Sequence, residues 1–390
     1  MKTINLDQAA TSFPKPPAVI RCMTEQMCSH GTNINRGGYH EAYELAEQVL
    51  AVREKISDFF NGYGPENVIF TANVTQALNM VLFGLLKSGD HVLISGLEHN
   101  AVWRPLHYLS EHCGITYDIM PADKTGRTDV EAAEALIRSE TRAVICTYAS
   151  NICPAVAPVR ALGEMARRHG LVFITDAAQG AGTLPVDMVG EHIDILCFTG
   201  HKGLLGPQGT GGFLIRPEIV PLVTPVFCGG TGSDSHSAKM PAIMPDRYEP
   251  GTPNLPGILA LGAAIDYINE RGRASIHAAE MACMAHFLTG VRRLDGYRII
   301  ADVVRTESVP VVLLQCDFMD EGELAWRLDE DYGIMTRVGL HCAPLGHQTL
   351  GTMPRGGIRF SFGAFTTSEE VDTALRALAA LAAESGRLIG

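Results

Sequence analysis

The sequence predicts an α/β protein: a large unit with a mostly parallel sheet and helices on both faces, joined to a smaller α/β unit. Three observations predict it. Between residues 67 and 215, short apolar runs alternate with segments of helical period. Polar side chains gather just after several of those runs, where open parallel sheets place their ligand groups. Near residue 225 the character changes, as Gly229-Gly-Thr-Gly232 and Ser233-Asp-Ser-His-Ser237 give a polar, flexible stretch and Glu249-Pro-Gly-Thr-Pro253 adds rigid turns. The expected division assigns residues 15–255 to the large unit, and residues 1–14 with 256–390 to the small one.

Taken in order, an extended start reaches Pro14-Lys-Pro-Pro17, a turn that can open the helix containing Val19, Ile20 and Met23. Residues 32–38 read as a loop. Leu45, Val49, Val52, Ile56 and Phe59 then recur at helical spacing, with Gly62 as the stop. A strand at residues 67–70 leads through Thr71-Ala-Asn-Val-Thr75 into an apolar helix at residues 77–86. A strand at residues 91–95 runs into Glu98-His-Asn100 and a helix through Leu109. Strands follow at residues 143–147, 171–175, 193–198 and 213–215, with a helix at residues 158–169. In the second unit, strands are expected at residues 297–300, 309–314 and 357–361. Helices at residues 321–328 and 368–383 cover them.

Composition narrows the function. Hydrophobic residues at 46% and charged residues at 19% are ordinary for a globular enzyme. A net charge of -12 leaves no basic surplus to neutralise phosphates, which argues against nonspecific nucleic-acid binding. No apolar run approaches membrane-spanning length, and Met1-Lys-Thr-Ile-Asn-Leu-Asp7 lacks an apolar secretory region, so the cytoplasm is the expected location. The ten cysteines are scattered, no C-x-x-C or H-E-x-x-H occurs, and no metal site is expected. Cys146 and Cys197 lie inside apolar runs and read as small buried hydrophobes. Cys342 differs, because it sits among Gly339, His341 and Pro344 in a loop-like setting.

The stretch from Leu171 to Gly212 carries the densest chemistry. Asp176-Ala-Ala-Gln179 follows one apolar strand, and Thr199-Gly-His-Lys202 follows the next. A carboxylate and an amine at strand ends suit pyridoxal phosphate, whose aldehyde needs an amine and whose pyridine nitrogen needs an anion. Strand-end Asp and loop Lys pairs also occur in many α/β proteins that bind no such group. The hydroxyl of Thr199 could hold a phosphate, and Val74 and Thr75 stand where a helix N-terminus offers free N–H groups. A simple helix N-cap by Thr75 accounts for that turn equally well. Arg359, inside the apolar strand Gly357-Ile-Arg-Phe-Ser361, can fork two donors onto a carboxylate or form a structural salt bridge.

Several ordered motifs carry a resemblance. Leu6-Asp-Gln-Ala-Ala-Thr11, Glu98-His-Asn100, Ser150-Asn151, Asp176-Ala-Ala-Gln179, Thr199-Gly-His-Lys202, Glu249-Pro-Gly-Thr-Pro-Asn254 and Arg337-Val-Gly-Leu-His-Cys-Ala343 together resemble the cysteine desulfurases. These belong to the class V aminotransferase group of fold-type I pyridoxal phosphate-dependent enzymes, and the last run is similar to their type II, short-loop branch. The resemblance implies that Lys202 forms the Schiff base and shuttles a proton, with Asp176 keeping the pyridinium charged. It also implies that His99 stacks on the ring, that Asn151 and Gln179 bond its phenolic oxygen, and that Val74, Thr75, Thr199 and His201 serve the cofactor. Thr252 would complete the phosphate site of a neighbouring subunit in a homodimer. Arg359 would hold the substrate carboxylate, with Arg36 and Asn33 at the substrate mouth. Cys342 would take sulfur from L-cysteine as a persulfide, release alanine and pass the sulfur to an acceptor protein, with His341 favouring its thiolate.

The chain departs from that pattern in two places. Asn35 stands where many type II relatives have histidine, and Asn73-Val74 where relatives more often have Gly-Thr. The nearest competing activity is selenocysteine lyase on L-selenocysteine, since selenium leaves more easily from the same scaffold. Another pyridoxal lyase or an aminotransferase would leave the Cys342 motif unexplained. A cofactor-free sulfur-transfer scaffold would leave Lys202 and Asp176 unexplained.

Overall fold

The computed structural model describes residues 3–29, 31–34, 37–234 and 236–388. Its larger sheet has seven strands in the order Val68–Thr71, Gly211–Ile215, Ile195–Thr199, Val172–Asp176, Thr141–Thr147, His91–Ile94 and Thr116–Ile119. The last five are parallel, while Gly211–Ile215 runs antiparallel to both neighbours. The mostly parallel sheet expected from the alternating pattern is therefore present. Its edge strand Thr116–Ile119 was not anticipated: it is polar and half-exposed, so no apolar run marks it.

Alternation along the central strands sorts their side chains onto two faces. Val144, Phe173, Leu196 and Phe198 join one core, while Ala143, Ile145, Ile174 and Ile195 join another. The first core packs against helices His40–Phe59, Val159–Arg168 and Leu255–Arg271. The second packs against Val74–Leu85 and Asn100–Cys113. Burial on both faces explains why these strands read as continuous apolar runs. Phe173 and Phe198 are fully buried, and each contributes roughly 1.5–3 kcal/mol of transfer free energy.

A smaller antiparallel sheet takes the order Arg337–Gly339, Gly357–Ser361, Val311–Cys316 and Tyr297–Ile300. Its own core draws on helices Arg273–Val291, Glu321–Tyr332 and Ser368–Leu388. The N-terminal Ile4–Asn5 pairs with Ile334–Met335, which brings the chain's start beside this sheet. The smaller sheet thus delivers Arg337 and Arg359 toward the carboxyl ends of the larger sheet's strands. Arg359 Nη1 donates to Asn151 O at 3.0 Å, and Asn100 N donates to Cys342 O at 2.7 Å.

Candidate active site

The strand Val172–Asp176 ends in a buried carboxylate, and Ile195–Thr199 leads into a loop that closes on itself. Gly200 N donates to Thr210 O, Gly206 N to Gly200 O, and Leu205 N to Lys202 O. That closure fixes Lys202 among buried groups. Burial pushes its ammonium down to about 8, against the opposing pull of Asp176. The Asp176 carboxyl is raised, chiefly by burial, although a hydrogen bond from Ala178 N and the charge of Lys202 resist the shift. Each group is costly to charge alone and eased by the other.

The peptide before Lys202 is clamped by the N-terminal segment. His201 O accepts from Ser12 N at 3.0 Å and from Lys15 Nζ at 2.9 Å, with the Thr11 and Ser12 hydroxyls also within bonding distance. The His201 ring meets Thr11 Oγ1 at 3.1 Å. Gln179 reaches the same segment, donating to Ala9 O at 3.0 Å. Thr199 is buried, its hydroxyl 3.5 Å from Thr210 O.

The helix Val74–Leu85 starts at the rim of this region. Asn73 is the N-cap, its side chain accepting from Gln76 N at 2.9 Å, so the alternative of a cap by Thr75 is corrected. The asparagine that departs from relatives therefore has a helix-capping role, and Val74 and Thr75 lie in the first turn with their N–H groups available. A Cβ at Gly211 would lie 2.7 Å from Asn73 Cα, so only glycine lets that strand approach the turn.

His99 caps the helix Asn100–Cys113, its Nδ1 accepting from Ala101 N at 3.0 Å. Burial first, and the charge of Lys202 second, hold its pKa down at about 4, so the ring is neutral. It shares a cleft of about 590 Å3 with Thr75, Asn100, Arg104 and Cys342.

Cys342 is exposed and sits in a strained turn. His341 and Cys342 are successive non-glycine residues with φ of 51° and 57°, a left-handed backbone that costs roughly 1–2 kcal/mol per residue. The turn is tied down by its carbonyls: Asn151 Nδ2 donates to His341 O at 2.8 Å, and Asn100 N to Cys342 O. The group that meets the thiol is Arg337, whose Nη2 donates to Sγ at 3.2 Å. His341 is corrected here. Its ring is buried and engaged by Arg337 O and His347, so it does not attend the thiol.

Arg359 is fully buried; Nη2 pairs with Asp7 and Nη1 bonds Asn151 O, while Nε lacks a partner. The salt bridge considered from sequence is present, and it leaves donors of the fork unspent. Thr252 is exposed and accepts from Asn33 Nδ2 at 3.1 Å; neither residue lines the clefts that hold Lys202 or Cys342. Arg36 and Asn35 lie outside the described residues. Sequence reasoning missed Arg337 and Asp7, although both stood inside quoted motifs. It also missed Glu98, wholly buried beneath the site, with Oε1 accepting from Ser95 Oγ and Thr147 N at 2.6 Å and Oε2 without a partner.

Comparison with known proteins gives one family. The model of aminotransferase class V matches residues 4–374. A probable cysteine desulfurase of Methanothermobacter thermautotrophicus is 32% identical over 372 residues, 94% of this chain and 92% of the relative. A cysteine desulfurase of Yersinia pestis is 32% identical over 377 residues, 95% of this chain and 91% of the relative. Among solved structures, the apo cysteine desulfurase of Thermococcus onnurineus superimposes with a TM-score of 0.90 at 29% identity, covering 98% of this chain and 95% of that one.

Proposed function

This chain belongs to the aminotransferase class-V family, and from that premise we propose that it acts as a pyridoxal 5'-phosphate-dependent cysteine desulfurase with Cys342 as sulfur acceptor. The observation that carries the reading is the exposed Cys342 thiol, 3.2 Å from Arg337 Nη2 in the cleft lined by His99 and Thr75. The residues fit the cofactor. A half-buried amine and a buried carboxylate face one region, the first turn of Val74–Leu85 offers N–H donors to a phosphate, and Gly211 lets backbone close around that end.

When bound, pyridoxal phosphate supplies the electron sink that lets the substrate's Cα proton leave. Lys202 would hold the cofactor and then carry that proton; its lowered pKa raises the share of free amine near neutral pH. Asp176 would keep negative charge opposite the ring nitrogen. Val74, Thr75, Thr199 and His201 would serve the phosphate end. His99, Asn151 and Gln179 would contact the ring and its oxygen. Arg359 would anchor the substrate carboxylate through its unspent donors.

In the sulfur step, Cys342 Sγ forms a bond to the substrate sulfur as the Cβ–S bond breaks. The electron pair returns to carbon, a proton follows it, and L-cysteine plus thiol become L-alanine plus persulfide. Arg337 offers that thiol a fixed positive charge at hydrogen-bonding distance. The exposure of Cys342 supports onward transfer to an acceptor protein. A homodimer is part of the proposal: Phe227 and Ile243 are 47% and 65% exposed near the segment that carries Thr252, which is an apolar surface of the kind partners cover. Among the described residues no helix is long and apolar enough to cross a membrane.

The decisive assay incubates holoenzyme with L-cysteine and a reductant, then measures alanine and sulfide together. Equal amounts of both are expected. Pyruvate and ammonia in place of alanine would move the chain to another lyase class.

A further inference from the structure

Behind the thiol turn lies a buried chain of polar side chains that the proposed reaction leaves unused. His341 Nε2 lies 3.0 Å from Arg337 O, His341 Nδ1 lies 3.3 Å from His347 Nε2, and His347 Nδ1 lies 2.7 Å from Thr352 Oγ1. His341, His347 and Thr352 are all buried, and the two rings stack 5.6 Å apart at 20°. From this arrangement we propose that His347 and Thr352 are positioning residues that, through His341, hold Arg337 against the Cys342 thiol. The proposal rests on the reading of Cys342 as nucleophile for its meaning, but not for its test.

One protonation pattern satisfies the three ring contacts, and it draws the single Thr352 hydroxyl proton to the 2.7 Å contact with His347 Nδ1 in preference to His347 O at 3.3 Å. Arg337 O is a carbonyl and can only accept, so His341 Nε2 must carry the proton and its Nδ1 must be the acceptor. His347 Nε2 must then donate to that Nδ1. His347 Nδ1 is left to accept from the Thr352 hydroxyl. The reverse set of tautomers would set the lone pair of His341 Nε2 against the lone pairs of Arg337 O. Both rings must be neutral for the chain to run this way, and burial holds His341 at about 3 and His347 at about 4.

The far end of the chain is fixed by backbone. Thr352 N donates to His347 O at 2.9 Å, and His347 N donates to Ala343 O at 3.1 Å, one residue past the nucleophile. The relay therefore joins the two sides of the turn: Arg337 on the strand before it and the helix Pro344–Leu350 after it. Between them, His341 and Cys342 hold left-handed backbone, which persists only where surrounding contacts over-determine it. The charges that reach Cys342 come from Arg337 on its own side and from Lys202 and Arg359 across the cleft. Of these, only Arg337 is steered by the relay.

The test uses holoenzyme and three variants, His347→Leu, His347→Gln and Thr352→Val. Leucine fills the ring's space without its polar atoms, whereas glutamine can donate to His341 and accept from Thr352. Two quantities are read: the rate of iodoacetamide modification of the Cys342 peptide at fixed neutral pH, and kcat and KM for alanine formation. His347→Leu should slow both alkylation and kcat about tenfold, the effect of losing one typical hydrogen bond. KM and the cofactor's absorbance should stay unchanged. His347→Gln should recover most of both rates, and Thr352→Val should show a smaller loss. Wild-type rates in His347→Leu, or a His347→Gln protein as slow as the leucine variant, would overturn the proposal. If the leucine variant does not fold, Thr352→Val decides, since unchanged alkylation there is equally fatal. Absence of persulfide on wild-type Cys342 would sink the nucleophile reading alone, leaving the alkylation comparison to stand or fall separately.

Discussion

The lysine pocket and the thiol turn face one another across the site, yet they are built on opposite terms. Asp176 is buried at the end of one central strand and Lys202 is half-buried in the loop after the next, held by a parallel sheet and a self-closing backbone turn. Cys342 is exposed in a short strained turn from the smaller unit, held by side chains that reach its carbonyls and by Arg337 at its sulfur. The difference follows from what each group must do. An amine that reacts near neutral pH gains from desolvation, which favours its uncharged form. A thiol that hands its cargo to another molecule must be reachable, so charge comes from one placed arginine instead of a dry pocket.

The sharpest way to break the comparison is to remove one side at a time. Lys202→Ala should lose the cofactor's lysine-linked absorbance and all alanine formation together. Cys342→Ser should keep that absorbance while alanine formation from L-cysteine falls on the order of a thousandfold or more, as for other nucleophile deletions. Loss of the cofactor spectrum in the serine variant would show that the two regions are not separable.

Arg359 tests the seam between them, since it bonds Asn151 O while Asn151 Nδ2 holds His341 O. Arg359→Lys keeps charge but loses the planar fork, so KM for L-cysteine should rise about ten- to a hundredfold. Cofactor absorbance should survive. A variant that sheds cofactor instead would assign Arg359 to the scaffold through its Asp7 pair.

The smallest effect concerns Glu98, whose carboxyl burial pushes up to about 8. A folded pKa above the unfolded one means that the native state binds the proton more tightly, so stability falls as pH rises from about 4.5 to about 8. Glu98→Gln should flatten that part of the profile, with a Tm gain relative to wild type of roughly 2–4 °C at pH 8 and less at pH 5. An unchanged difference between the two pH values would mean that Glu98 is not the group titrating.

The same contrast governs what the sequence made legible. Strands buried on both faces announced themselves as apolar runs, and the groups at their ends, Asp176 and Lys202, could be read from position. The edge strand Thr116–Ile119 and the two-residue pairing of Ile4–Asn5 with Ile334–Met335 leave no such signature. At the turn, Cys342 was identified by its motif, but its surroundings were not. A left-handed backbone at His341 and Cys342 turns the histidine ring inward and admits Arg337, and no glycine at either position signals it. Likewise Thr75 looked like a cap, because the competing side chain of Asn73 lies two residues earlier and wins on geometry.

Passage of sulfur through Cys342 can be measured directly. Holoenzyme is exposed briefly to L-cysteine without reductant, quenched with an alkylating agent, and the cysteine-containing peptides are weighed. One extra sulfur atom is expected on the Cys342 peptide, appearing at the rate of the first alanine formed and absent from Cys28, Cys113 and Cys228, the other exposed thiols. Alanine formed at full rate with no added sulfur on Cys342 would contradict that route.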